Sequence, residues 1–300
     1  MISVIIASLN ENNDILNKTI ESIKNSSGNR TEIIVIDDCS DCKVEINYDD
    51  VVFIRNDTRL GAAKSKDKGI KLSKNPYIFI TDAHMIFKDG WYDEVLKSLE
   101  NKPKSLYCGV CLGLSETNFD LNKCEGAYVG ARLFLKEGNE FVDGKWSHVV
   151  SNESDYQISC VMGACYFMHK SWYEYIKGYD DLIAWGSEEP CLSIKTWLSG
   201  GDVRINKKMK VGHMFRNNAP YYTEIHKILY NKIRMVYCFF PEELSNDLIT
   251  KMSSLPFFNE AIELINNDEI IINEYKKCYQ SIFVKDIYWL IDKFKINMCN

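Results

Sequence analysis

The sequence predicts an α/β fold with a mostly parallel central sheet, helices on both faces and a helical C-terminal extension. In the first half, short apolar runs alternate with helix-length amphipathic stretches, the pattern of strands joined by crossover helices. The runs "SVIIAS" and "EIIVI" are almost continuously apolar, which suits strands buried on both faces. Polar residues gather where the runs end, at Ser8-Leu9-Asn10, Asp37-Asp38 and Asp82-Ala83-His84. Open sheets of this kind bind ligands beyond the carboxyl ends of their strands. Three polar ends on one edge therefore predict a site.

The elements follow in order. Strands are predicted at 2–8, 31–38, 51–55 and 77–81, and helices at 14–26, 60–73 and 90–101. The last helix carries Trp91, Val95, Leu96 and Leu99 on one face. A strand-like run covers 105–113, while Gly126, Gly130, Gly138 and Gly144 make 113–154 read as loop-rich. A further strand is predicted at 160–168, with the small pair Gly163-Ala164 at its centre. Pro190 fits the first position of a helix that Gly200-Gly201 terminate. From Thr223 the chain reads as helices to its end.

The 300 residues, 46% hydrophobic and 26% charged, have an ordinary globular composition. A net charge of −6 gives no general attraction to nucleic acid or anionic membranes. No stretch reaches the roughly 18 apolar residues of a membrane span. The start, "MISVIIA", lacks a basic leader region and reads as a buried strand, so a cytoplasmic protein is predicted. Eleven cysteines, an odd number scattered through core-like strands, suit reduced packing residues. The pairs Cys39/Cys42 and Cys108/Cys111 have zinc-type internal spacing, but the second lies in a strand-like run, so packing is favoured over a zinc site.

The run "YIFITDAHMIF" breaks its apolar character with a carboxylate and an imidazole two residues apart. On extended backbone such side chains point the same way, so Asp82 and His84 can grip one metal ion. Hard oxygen with borderline nitrogen suits Mn²⁺ or another divalent cation.

Six blocks, in order, resemble the GT-A (Rossmann-like) glycosyltransferases, above all the catalytic domain of polypeptide N-acetylgalactosaminyltransferases and related family 2 enzymes. They are the opening "SVII", Asp37-Asp38-Cys39-Ser40, Arg59-Leu60-Gly61, Asp82-Ala83-His84, Trp185-Gly186-Ser187-Glu188, and Val211-Gly212-His213-Met214-Phe215-Arg216 leading to Pro220-Tyr221. The resemblance covers Ser3 to Tyr222. It implies a GT-A domain over 1–222, with a nucleotide-binding half (1–101) and an acceptor and catalytic half (102–222), followed by a helical extension over 223–300.

The resemblance implies transfer of a hexosyl or N-acetylhexosaminyl group from a UDP-sugar, with Asp82, His84 and His213 as metal ligands. Ser8, Asp38, Arg59, Lys66, Arg216 and Tyr221 would surround the nucleotide sugar, Asp38 receiving uracil or ribose and the cations facing the diphosphate. Gly163 and Ala164 would let backbone approach the sugar. Trp185 and Glu188 would stand at the sugar or acceptor. Position 189 decides stereochemistry: retaining N-acetylgalactosaminyltransferases commonly have Asn there, and inverting relatives a carboxylate base. Glu189 therefore favours inversion, with retention as the alternative. The connection at 217–223 is expected to close over the donor. Neither an anchor before the domain nor a lectin module after it is read in the sequence, so secretory localisation and a polypeptide acceptor are not expected to carry over.

A sugar nucleotidyltransferase is disfavoured, because "ASLNENND" is neither glycine-rich nor basic. A non-catalytic sugar-nucleotide binder would have little use for a Glu pair beside the metal ligands. The acceptor stays open among glycan, lipid-linked sugar, protein and modified nucleic-acid base. The tail "YKKCYQSIFVKDIYWLIDKFK" could meet a membrane surface or a second copy, although core packing is the commoner use of such a stripe.

Overall fold

A computed structural model describes residues 1–116, 119–124, 126–179, 182–216 and 221–298. The first half runs β1 (Ile2–Ser8), α1 (Asn13–Ser27), β2 (Thr31–Asp37), β3 (Val52–Arg55), α2 (Ala62–Leu72), β4 (Tyr77–Thr81), β5 (Met85–Phe87) and α3 (Trp91–Asn101). Then come β6 (Ser105–Leu114), β7 (Ala127–Val129), β8 (Ala131–Glu137), β9 (Glu140–Trp146), β10 (Asp155–Gln157), β11 (Cys165–His169), α4 (Lys170–Tyr175), α5 (Glu188–Leu198) and β12 (Asp202–Met214). The chain finishes with α6 (Ile225–Phe239), α7 (Glu242–Met252), α8 (Phe258–Asn267), α9 (Glu269–Ile282) and α10 (Ile287–Phe294).

The main sheet has the order β10-β12-β6-β11-β4-β1-β2-β3. Strands β1 to β4 pair with one another in parallel, as the unbroken apolar runs of β1 and β2 predict, and Ile2, Val4, Ile5 and Ile6 of β1 are fully buried. Asn12 caps α1 by accepting from the amides of Asp14 (2.8 Å) and Ile15 (3.2 Å). Gly69 lets α2 lie close on β1, since a Cβ there would come within 2.6 Å of Ile5 Cγ2.

The sheet is mostly parallel, as expected, with β12 parallel to β6, and the second half adds antiparallel strands to it. Strand β11 enters antiparallel to both β4 and β6, so the sheet is mixed. The stretch read as loop-rich holds β7 and the β8–β9 hairpin, because Gly138 serves the hairpin turn at φ +58° and does not break the strands. The strand predicted at 160–168 begins only at Cys165; Cys160 makes an isolated bridge to Ala131, and 161–164 stay outside the ladder. Helix α5 starts at Glu188, so Pro190 is its third residue; it is tolerated there because first-turn amides need no helical acceptor.

Strand β12 changes neighbours along its length. It pairs with β10 at Arg204–Asn206 and with β5 at Val211–His213, and its register against β6 shifts between Ile205 and Lys210. Such an irregularity bends a strand and re-aims the side chains beyond it. Here it delivers His213 beside the end of β4. The C-terminal helices pack on this body, with Trp197 of α5 against Trp289 and Phe294 of α10 at 5.9 and 5.2 Å. Tyr279 and Leu290 of the aromatic tail are fully buried, so much of that stripe is core. Among the described residues no helix is long and apolar enough to cross a membrane.

Candidate active site

A cleft of about 720 Å³ opens at the carboxyl ends of β1, β2 and β4, and Ser8, Asp38, Arg59, Lys66, Trp185, Arg216 and Tyr221 all line it. Asp82, His84 and His213 sit at its wall, and their candidate ligand atoms lie within 4.8 Å of one another. Asp82-Ala83-His84 is the connection between β4 and β5, held by the Asp82 amide on the Ala164 carbonyl (3.1 Å) and by the Met214 amide on the His84 carbonyl (3.1 Å). The apolar run breaks there because the chain leaves one strand and returns as another.

These three side chains fit a divalent cation. His213 Nε2 is 3.2 Å from His84 Nε2 and 3.3 Å from Asp82 Oδ2, so three donor atoms converge on one point. His84 Nδ1 lies 2.8 Å from Glu11 Oε2. A proton on that nitrogen leaves Nε2 with its lone pair facing the cluster, the usual support for a metal-binding histidine. Burial pushes the His213 pKa down, although Asp82 opposes it, and so favours the neutral imidazole that a ligand must be. Burial pushes Asp82 up, but the hydrogen bond from His213, together with the cationic surroundings that include Lys66, holds the carboxyl below its ordinary range.

Glu11 is the residue that sequence reasoning missed. Its side chain is 3% exposed and also pairs with Arg216. Burial raises its pKa, but His84 and Arg216 together hold it below the ordinary carboxylate value. The available signal was its position just past the end of β1, on the ligand-binding edge. Glu11→Gln should weaken Mn²⁺ binding by about 10–100-fold, since it removes the charge that orients and polarises His84. Calorimetric titration with Mn²⁺ checks this, and wild-type affinity would contradict it.

A second cluster lies deeper. Lys66, 6% exposed, is 3.9 Å from Glu189 Oε1 and 5.7 Å from the Tyr166 ring. Burial opposes its charge, but Glu188 and Glu189 more than compensate and keep it ionised. One cation cannot neutralise two carboxylates, of which Glu188 is buried and Glu189 partly so. Burial, opposed by Lys66 and reinforced by Glu188, pushes Glu189 up to about 7. Glu188 is raised too, chiefly by burial, and its Oε2 accepts from the Gly186 amide at 2.8 Å. Gly163 makes room for this pair: a Cβ there would stand 3.3 Å from Glu189 Oε1. Ala164 is fully buried behind it.

The other expected residues divide. Asp38 already accepts from the amides of Leu60 and Gly61 (2.8 Å each), Asn56 Nδ2 (2.8 Å) and Ser65 Oγ (2.9 Å), so it braces the turn into α2. Arg59 pairs with Asp41 at 2.6 Å on the cleft rim. Ser8 Oγ is buried with no hydrogen-bond partner among the described residues, leaving it available to a ligand. Trp185 is 46% exposed at the mouth. Of the expected closing segment, 217–220 lie outside the described residues, while Tyr221 and Tyr222 line the cleft. No two of the ten described cysteines are joined in a disulfide, and the described His, Cys, Asp and Glu form no other metal-type group.

A Rossmann-like half joined to a mixed half, with an acid-x-His turn at the β4 end and a distant His from β12, is the GT-A arrangement, and the fold is GT-A. Glycosyl transferase family 2 matches residues 3–176 of the 300, more than half, and the chain belongs to that family. It is 26% identical over 235 residues to human polypeptide N-acetylgalactosaminyltransferase 14, covering 73% of this chain and 41% of that protein. With Caenorhabditis elegans polypeptide N-acetylgalactosaminyltransferase 4 the identity is 27% over 239 residues, covering 73% and 39%. The chain thus spans about two fifths of the length of these relatives. Among solved structures, GalNAc-T7 with UDP, GalNAc and Mn²⁺ superimposes with a TM-score of 0.77 at 18% identity, over 98% of this chain and 57% of that one. S. aureus TarS in complex with UDP-GlcNAc gives 0.56 at 12% identity, over 89% and 74%.

Proposed function

We propose that the chain is a metal-dependent glycosyltransferase that moves a sugar from a UDP-sugar to an acceptor, by inversion with Glu189 as base. The observation that carries this reading is the convergence of Asp82, His84 and His213 in the same cleft as Lys66, close to the Glu188-Glu189 pair. The neighbour structures hold UDP with GalNAc and Mn²⁺, or UDP-GlcNAc, which supports a UDP-N-acetylhexosamine donor and Mn²⁺ for this chain.

When bound, a divalent ion would neutralise charge on the departing diphosphate as a Lewis acid. Asp82, His84 and His213 would hold it, and Arg216 and Arg59 would add positive charge along the cleft. Ser8 Oγ would take a hydrogen bond from the nucleotide. Glu189 would accept the acceptor's proton as its oxygen attacks opposite the leaving group, and Lys66 would keep a compensating charge nearby. Glu188, fixed by Gly186, would orient the sugar or acceptor. The domain over 1–222 would carry the chemistry, with 223–300 bracing it.

Incubation with UDP-GalNAc or UDP-GlcNAc, Mn²⁺ and an acceptor panel tests the reading. UDP release separates a transferase from a sugar-nucleotide binder, and NMR coupling constants at the anomeric centre separate inversion from retention. Retention is the outcome that the resemblance to N-acetylgalactosaminyltransferases implies. A retained configuration would return Glu189 to stabilising the start of α5.

A further inference from the structure

We propose that Asn231, on α6, is a positioning residue for this active site: it clamps the 183–186 loop, whose Gly186 in turn holds the Glu188 carboxylate. The proposal rests on the transferase reading above.

Asn231 is fully buried, and its amide is spent on one loop. Its Oδ1 accepts from the Ile183 amide at 3.0 Å, and its Nδ2 donates to the carbonyls of Ile183 (2.8 Å) and Gly186 (3.0 Å). The other side of Gly186, its N–H, donates to Glu188 Oε2 at 2.8 Å. Two hydrogen bonds through one residue therefore link α6 to a carboxylate of the site.

The loop needs such a clamp. Ala184 has φ +53°, Gly186 +103° and Ser187 +76°, so two non-glycine residues sit in the left-handed region. Conformations of this kind persist only where surrounding contacts over-determine them. The opposite face is already fixed: a Cβ on Gly61 would come within 2.2 Å of Ala184 Cα, and the Ala63 amide donates to the Ala184 carbonyl at 3.3 Å. The loop is gripped between the start of α2 and α6. Release on the α6 side would leave buried backbone groups unpaired and let Trp185 and the Glu pair shift. The site is thus completed by a helix beyond residues 3–176, where the family match ends.

Asn231→Asp tests this, because it keeps the volume and the acceptor while removing both donated bonds. With whichever of UDP-GlcNAc and UDP-GalNAc the wild type turns over, kcat should fall by about 10²-fold, the scale of a small misplacement of reacting groups. UDP affinity in Mn²⁺ should stay at the wild-type level. Leu248→Ala, in α7, should lower Tm without that loss of kcat. Unchanged kcat in Asn231→Asp, or UDP affinity falling in step with kcat, would overturn the clamp. Should the variant fail to fold, hydrogen exchange on the wild-type chain decides: 183–187 must be protected like α6, and exchange at open-loop rates overturns the proposal. A wild type that turns over neither donor would count against the transferase reading, leaving the clamp to the exchange measurement.

Discussion

Glu189→Gln should slow sugar transfer by about 10²–10⁴-fold, the usual contribution of a positioned general base, while UDP and Mn²⁺ binding change little. The substitution keeps the shape of the side chain beside Gly163 and removes its basicity. The pH profile gives a second reading. Burial and the neighbouring Glu188 raise the Glu189 pKa to about 7 despite Lys66, so kcat/KM should climb as pH rises through that value. The acid limb should vanish in Glu189→Gln. The same shift bears on stability with the opposite sense: the folded state binds this proton more tightly than the unfolded chain. That contribution is fully present below about pH 4.5 and is lost as pH rises through about 7. Near-wild-type transfer by Glu189→Gln would remove the base from the account.

Lys66→Met should destabilise the fold by about 3 kcal/mol at neutral pH, the low end for a broken buried pair, because it strips the cation from the buried Glu188 and the partly buried Glu189. Lys66 keeps its charge in spite of burial because Glu188 and Glu189 face it, so the cost falls on them when it is gone. Without the cation their pKa values rise further, and acidification then neutralises them. The stability deficit should therefore shrink as pH falls below 7. Urea unfolding of both proteins at neutral and mildly acidic pH measures it. A deficit that is absent, or the same at every pH, would show that Lys66 does not balance this pair.

The first half of the fold was legible because β1, β2 and β4 are largely buried on both faces and each helix has its own apolar stripe. Those are local signals, and the expected bounds of β1 and β4 match the structure. The second half was read less well, because its pairings depend on partners far along the chain. The isolated bridge from Cys160 to Ala131, the β8–β9 hairpin and the partner change of β12 leave little local trace. The site divides in the same way. Asp82 and His84 were readable from two-residue spacing, and His213 from its place in a resembling block. Glu11 and Asn231 were not, since one acid in a polar loop and one Asn in an amphipathic helix are ordinary residues until the fold brings them to His84 and Gly186. The expected uracil or ribose contact of Asp38 meets a carboxylate already holding four protein donors, which hydrophobic periodicity could not reveal.

Thermal unfolding of the wild type and His213→Ala with UDP, in Mn²⁺ or in excess EDTA, tests most directly whether Asp82, His84 and His213 hold a metal that binds the nucleotide. Ligands of the native state raise Tm by an amount that grows with the logarithm of their concentration relative to Kd. UDP should raise the wild-type Tm substantially in Mn²⁺ and little in EDTA, and His213→Ala should remain folded and lose the difference. Equal stabilisation by UDP in EDTA, or a Mn²⁺-dependent shift that survives in His213→Ala, would contradict the metal site at the centre of this account.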